Sequence, residues 1–330
     1  MGIYEKKNQE PPVSDGLVSI CIPTYNRPAL IGKLLSSILA QTYQNFEIIV
    51  TDNSDNFDTQ SLIQNHFADP RIKYLKNAAN LGMGGNTRKA LNLIKGEFFT
   101  FTPDDDLWIT QSKLESQVAF LKQNREIDII YTNAESIDYD GNVLEPFGSV
   151  YDLADNSCIH VLDSAELLPG GNTAYFLNIL TPVIRVDPLL DIFIKSWFFE
   201  SEEFFCYHLA ASKQKIGFLI DKTVALREAE HYRTALEDGQ IVDWKKRKDL
   251  RIRQIIAIYT ALIYLYPDTK EALETAKVNN ALVRHLLIQA KTSRSLKLMI
   301  ITFCSCLLQF RRFNLIEMIK TKTKTGKSFG

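Results

Sequence analysis

The apolar positions of the first hundred residues fall in short blocks that alternate between two spacings. Residues 17–22 (LVSICI) form a β-branched run, stopped by Pro23, that predicts a buried strand. Behind Arg27-Pro28, the residues Leu30, Leu34, Leu35, Ile38 and Leu39 recur at helical spacing, so a turn and an amphipathic helix follow. Residues 46–50 (FEIIV) predict a second strand, closed by the polar run from Thr51 to Asp55, then residues 61–67 a helix and residues 71–75 a third strand. A glycine-bearing turn over 80–86 leads into a helix predicted over 87–94, and residues 98–102 make a fourth strand. The resulting β-α-β-α-β-α-β order implies an α/β fold with a Rossmann-like, mainly parallel sheet flanked by helices. Loops at the strand carboxyl ends then form one rim.

Beyond residue 110 the pattern is less regular. Residues 112–124 read as an amphipathic helix, 127–133 as a strand, and Tyr139-Asp140-Gly141-Asn142 as a hairpin turn. Further strands are expected at 180–186 and 216–226, with a helix beginning near 198–205. From residue 241 the chain reads as helical, with helices over 250–266 and 269–287. Residues 296–310 are mainly apolar, flanked by Arg294, Lys297, Arg311 and Arg312, and too short for a comfortable membrane span. An interfacial helix is the expectation there.

Charge changes this picture in one respect. The net charge of −1 conceals nine Lys/Arg against one acid from Lys291 onward, about +8, which leaves about −9 for residues 1–290. Such a basic tail favours an anionic membrane surface. The N-terminal stretch 1–16 is polar and lacks the apolar core of a signal peptide, so the expected location is cytoplasmic, peripheral on the cytoplasmic face of the inner membrane. Five cysteines without paired spacing fit a reducing compartment.

The chemistry concentrates on the rim. Three consecutive carboxylates, Asp104, Asp105 and Asp106, follow the fourth strand, where a divalent cation and a phosphate-bearing ligand would account for them. The same rim collects Thr24-Tyr25-Asn26, Asp52-Asn53 and Arg88. A ring can stack on a base, an Asp or Asn can read base or ribose edges, and an Arg can meet a diphosphate. Singly, Tyr25 reads as packing, Asp52-Asn53 as a turn, Arg88 as a solvated helix residue and the triplet as an acidic helix cap; their convergence favours a nucleotide-diphosphate site. The glycine turn is neither a Walker loop nor a dinucleotide fingerprint.

The segments VSICIPTYNRP, LLSSILAQTYQNFEIIVTDNSD, NLGMGGNTRKALNLIKGEFFTF and PDDDLW, in this order and spacing, resemble the family 2 glycosyltransferases with the GT-A fold. The resemblance is close over residues 17–135 and looser to about 235. It implies Pro23, Thr24 and Tyr25 lining a base pocket, Asp52 and Asn53 reading base and ribose, Arg88 approaching base or diphosphate, and Asp104 and Asp105 at the sugar nucleotide. Asp106, with Asp104 or Asp105 beside it, is the expected ligand of Mn²⁺ or Mg²⁺, and His231 is a further candidate. Two departures stand out. Pro103 occupies the first acidic position of the common DxDD pattern, and Asn53 replaces an acid.

Inverting transfer needs a base for the acceptor hydroxyl. Carboxylates between bulky apolar residues suit that role, and alignment with the family helix places Glu202 there, with Glu203 one residue away. The implied domains are a flexible 1–16, a nucleotide-sugar half 17–110, an acceptor half 111–240 and a helical, basic extension 241–330. The implied partners are a nucleotide-diphosphate sugar and a glycan or lipid-linked acceptor of bacterial surface polysaccharide synthesis, with no nucleic acid. A nucleotidyltransferase making activated sugars would share sheet and acids but would carry a glycine- and Arg/Lys-rich loop after the first strand. A non-catalytic sugar-nucleotide or glycan-binding module is the third reading.

Overall fold

Val18, Ile20 and Ile22 are fully buried in one core cluster and Cys21 in another, so β1 (Ser14–Thr24) separates two hydrophobic layers. This alternation is what a strand covered on both faces requires. The computed structural model describes residues 14–144, 159–163, 180–197, 205, 209 and 214–227. The helices expected beyond 241 and residues 1–13 of the expected 1–16 terminus lie outside the described residues.

Around β1 run β2 (Phe46–Asp52), β3 (Ile72–Lys76) and β4 (Gly96–Phe101), all parallel, in the order β3-β2-β1-β4. Their crossovers are α1 (Pro28–Leu39), α2 (Asp58–His66) and α3 (Gly82–Leu91). Then follow β5 (Leu107–Trp108), α4 (Lys113–Gln123), β6 (Ile129–Ile137), β7 (Ile159–Asp163), β8 (Val183–Arg185), α5 (Val186–Ser196) and β9 (Lys215–Arg227). The sheet continues β4-β8-β6-β9-β5, with β7 on β9; β8, β5 and β7 run antiparallel to their neighbours. One core packs α1 and α4 on the sheet through Leu34, Leu35, Ile38, Leu114, Val118 and Leu121. The other packs α3 and α5 through Ala90, Leu91, Phe193 and Trp197. No helix among the described residues is long and apolar enough to cross a membrane.

Four expectations change. β1 continues through Pro23 to Thr24, because Pro23 sits opposite Thr51 near the strand end and the Asn53 N–H donates to the Thr24 carbonyl beyond it. Helix α3 begins five residues before the expected 87. Asn53 Oδ1 accepts the Leu81 N–H (3.2 Å), Asn53 Nδ2 donates to the Gly82 carbonyl (3.1 Å), and Asn80 Oδ1 accepts the Gly82 N–H (2.8 Å), so amides of neighbouring segments cap the glycine-rich turn into a helix. Within it Gly85 leaves no room for a side chain, since a Cβ there would come 2.9 Å from Leu81 Cβ. The stretch expected as one strand over 180–186 is the short β8 and the start of α5, whose Phe193 face is buried against Phe99 and Phe101. Finally, the expected turn is present over 138–142, with the Asp138 carboxylate accepting the N–H groups of Gly141 and Asn142, and among the described residues its return, up to 144, pairs as a bridge of Ile137 opposite Val143.

Lys113 is a fully buried lysine with no acid beside it among the described residues. Its Nζ donates to Gln117 Oε1 (2.7 Å) and the Thr181 carbonyl (2.8 Å) and lies 4.8 Å from the centre of the Trp108 ring. Burial pushes the amine down from 10.5 to about 7. The unfolded chain therefore binds more protons between pH 7 and 10.5, so stability rises with pH across that window and the penalty is fully present below it. Lys113→Met is expected to flatten this rise. Thermal unfolding of both proteins at pH 6 and pH 9 checks it: the gain in Tm from pH 6 to pH 9 should be smaller in the variant.

Candidate active site at the carboxyl rim

The carboxyl ends of β1, β2, β4, β6 and β9 meet on one edge of the sheet, and the acidic triplet lies among them. Thr24 ends β1; its Oγ1 donates to Asp104 Oδ2 (2.6 Å), and the Tyr25 N–H reaches the same oxygen (3.3 Å). Arg27 Nη1 bridges Asp104 Oδ1 (3.0 Å) and Asp105 Oδ2 (2.6 Å). Both oxygens of Asp104 are thus engaged by the β1–α1 turn. That turn is held by Asn26, at φ 53, whose N–H donates to Ser54 Oγ (2.8 Å) and whose amide exchanges two bonds with Asp55. Asn tolerates this left-handed backbone better than most residues.

Asp106 is held differently. Its Oδ1 accepts the Arg227 N–H (3.0 Å), while Oδ2 is buried with no hydrogen-bond partner among the described residues. Burial pushes its carboxyl up to about 7, against the Arg227 bond and with a further push from Asp105. Asp104 is also raised, again by burial first, with Thr24 and Arg27 pulling it back. An orphaned, buried carboxylate oxygen fits a divalent cation. No three His, Cys, Asp or Glu among the described residues could enclose one alone, so water and phosphate oxygens would complete its shell, as is usual for Mg²⁺.

The remaining candidates fall as follows. Tyr25 is exposed, at 45%, and its hydroxyl donates to Asp55 Oδ2 (2.9 Å). Pro23 is half-buried at the end of β1. Asp52 is fully buried: Oδ1 accepts the Ser54 N–H (2.7 Å) and Oδ2 the Tyr74 hydroxyl (2.6 Å). Asn53 beside it joins a chain of amides, Asn77 Nδ2 donating to both Asn53 Oδ1 and Asn86 Oδ1, and Asn86 Nδ2 ties the Thr24 and Thr51 carbonyls (3.2 and 3.0 Å). Arg88 is brought to the other side of α3, where Nη1 donates to the Trp197 carbonyl (2.6 Å). Glu202, Glu203 and His231 lie outside the described residues; near the first two, Phe205 packs edge-on against Phe193, with ring centroids 4.9 Å apart.

Residues 19–147 match the family model described as glycosyl transferase family 2. The chain carries a family 2 glycosyltransferase domain. This family 2 domain is 38% identical over 125 residues to a UDP-Glc:alpha-D-GlcNAc-diphosphoundecaprenol beta-1,3-glucosyltransferase, WfgD, of Escherichia coli, covering 38% of the chain and 48% of that protein. It is 42% identical over 91 residues to a GalNAc(5)-diNAcBac-PP-undecaprenol beta-1,3-glucosyltransferase of Campylobacter jejuni, covering 27% and 29%. The chain spans half or less of the length of these relatives. In fold it is similar to S. aureus TarS 1-349 in complex with UDP-GlcNAc, with TM-score 0.55 and 18% identity over 89% of the chain and 87% of that one. The sheet is the mainly parallel, helix-flanked GT-A sheet.

Sequence reasoning passed over two arginines of the family 2 domain's surroundings, Arg27 and Arg227, and the amides Asn77 and Asn86. Arg27 stood inside the quoted PTYNRP segment, where its place before Pro28 made it read as a helix opener. Arg227 carried no local signal, because its bonds run to the acidic loop and the turn after β6, far away in the chain.

Removing Arg27 leaves Asp104 and Asp105 facing each other without their shared cation. Arg27→Ala is expected to cost on the order of 1–2 kcal/mol at pH 7. Below its raised value Asp104 becomes neutral and no longer needs the partner, so denaturant titrations at pH 7 and pH 4 should show the deficit narrowing at the acid end.

Proposed function

We propose that the protein is a metal-dependent, inverting glycosyltransferase that moves a sugar from a nucleotide-diphosphate sugar to a hydroxyl of a glycan or lipid-linked acceptor in bacterial surface polysaccharide synthesis. The open, buried oxygen of Asp106, on the same rim of a family 2 domain as the exposed Tyr25 ring, carries this reading. The diphosphoundecaprenol-linked acceptors named for the two relatives above support the acceptor class.

In this reading the Tyr25 ring receives the base, with Pro23 and Thr24 forming the pocket wall. Asp52 and Asn53 shape its floor, Arg88 serves the base or diphosphate side, and Asp105 and Asp104 face the sugar nucleotide. Asp106 holds Mn²⁺ or Mg²⁺, with His231 as a second ligand; Asp104, whose oxygens already accept bonds from Thr24, Tyr25 and Arg27, is the weaker candidate. When bound, the ion supplies positive charge against the diphosphate leaving group. Glu202, or its neighbour Glu203, removes the proton of the acceptor hydroxyl. The hydroxyl oxygen forms a bond to the anomeric carbon from the face opposite the diphosphate, and the bond to the diphosphate oxygen breaks with its electron pair leaving on the nucleoside diphosphate. The basic stretch from Lys291 supports a peripheral place at the cytoplasmic membrane face.

Two measurements test the reading. UDP-, GDP- and dTDP-sugars are titrated with and without Mn²⁺; metal-dependent binding of one of them is expected in the wild type and a loss of at least about tenfold in Asp106→Ala. Donor binding to no member of the panel would overturn it. Glu202→Gln is expected to keep donor binding and lose about 10²–10⁴-fold in turnover. Donor binding without any transfer in the wild type would point to a binding module, and release of pyrophosphate from a nucleoside triphosphate and a sugar phosphate to a nucleotidyltransferase.

A further inference from the structure

Arg227, the last residue of β9, is 8% exposed, and every described bond of its guanidinium is to a main-chain carbonyl. Nε donates to Asp105 O (2.9 Å), and Nη1 to Asp138 O (2.6 Å) and to Tyr139 O. The Arg227 N–H donates to Asp106 Oδ1 (3.0 Å). One residue therefore joins three pieces of chain: the acidic loop, the turn after β6 and the end of β9.

Among the described residues no carboxylate lies within ion-pair distance of this guanidinium; burying it so is costly, and an apolar side chain of similar volume would pack there more cheaply. What the arginine adds is geometry, because its planar fork holds several acceptors in fixed relative positions. The consequence falls on the triplet. Asp104 and Asp105 are committed to Arg27 from the β1 side, and Asp106 is drawn to β9 through Oδ1, which leaves Oδ2 without a partner. The three like charges are parted between two anchors, and the carboxylate that keeps an open oxygen is the one on the Arg227 side.

We propose that Arg227 is a positioning residue for a divalent cation: by holding the main chain at Asp105 against the turn after β6, it keeps Asp106 Oδ2 as the open oxygen of the acidic loop. The inference rests on the reading of this rim as a cation and nucleotide-diphosphate site. The backbone N–H survives any substitution at 227, so the side chain can be removed without deleting the direct bond to Asp106.

The test uses the full chain as wild type, Arg227→Met and Arg227→Lys. Mn²⁺ is titrated in the presence of UDP, GDP or dTDP, bound metal being read as loss of the electron paramagnetic resonance signal of free Mn²⁺, and circular dichroism reports folding. Both variants should bind Mn²⁺ about tenfold or more weakly while folded, since a lysine offers one point of charge where three carbonyls need a fork. A folded variant of either kind that takes up Mn²⁺ as the wild type does would overturn the proposal; where Arg227→Met does not fold, Arg227→Lys decides. A wild type that takes up no Mn²⁺ with any of the three nucleotides overturns the reading of the site itself, a result distinct from variants that match a binding wild type.

Discussion

Three consecutive carboxylates at the end of a buried strand repel one another, and the fold has to supply each of them with a partner of its own. The partners come from opposite directions. The β1–α1 turn sends Thr24, the Tyr25 N–H and Arg27 to Asp104 and Asp105, and the end of β9 sends the Arg227 N–H to Asp106. Each of these donors belongs to a strand end or to the turn just after one, so the position of the acids is set by the register of the sheet. Burial at low dielectric strengthens these bonds and equally penalises any carboxylate oxygen left out. The loop is thus stiff where it is paired and electrostatically unsatisfied at one atom, Asp106 Oδ2.

The same economy governs the neighbouring part of the rim. Asn77 links Asn53 to Asn86, and Asn86 bonds the carbonyls of Thr24 and Thr51 at the ends of β1 and β2, so these main-chain groups are satisfied internally. Asp52 is likewise absorbed, by Ser54 and Tyr74. What is left turned outward is the Tyr25 ring with Asn26 and Asp55. Among the described residues these outward groups rest on a polar layer that is already tied.

Strands β1, β2 and β4 were legible in the sequence because strands covered on both faces must be apolar along their length, as the buried β2 illustrates. Helix α1 was legible because its buried residues, Leu30 to Ile38, keep one helical face. The start of α3 was not, since Gly82, Gly84 and Gly85 argue locally for a turn and the bonds that overrule them come from Asn53, about thirty residues earlier. β5 and β8 are two and three residues long, too short for any period to show. In the site, Asp104 to Asp106 and Tyr25 were visible as residue types at a strand end. Arg27 and Arg227 were hidden because their partners lie 77 and 121 residues away, and only the closed sheet brings them together.

β8 carries a mechanical consequence. It is the strand that joins the first four parallel strands to β6 and β9, and it does so through Phe98 opposite Arg185 and Phe99 opposite Ile184 on one side, and Ile129 opposite Ile184 and Ile130 opposite Val183 on the other. By comparison β1 and β2 are laddered from Val18 to Thr24. Twisting or sliding of one half of the sheet against the other is therefore concentrated at β8, and Arg185, which reaches Glu97, Asp128 and the Leu121 carbonyl, acts as the rivet across it. The sheet is thus two long ladders sharing one short seam, and shear between them falls on the few pairs that β8 makes and on the Arg185 bonds across it.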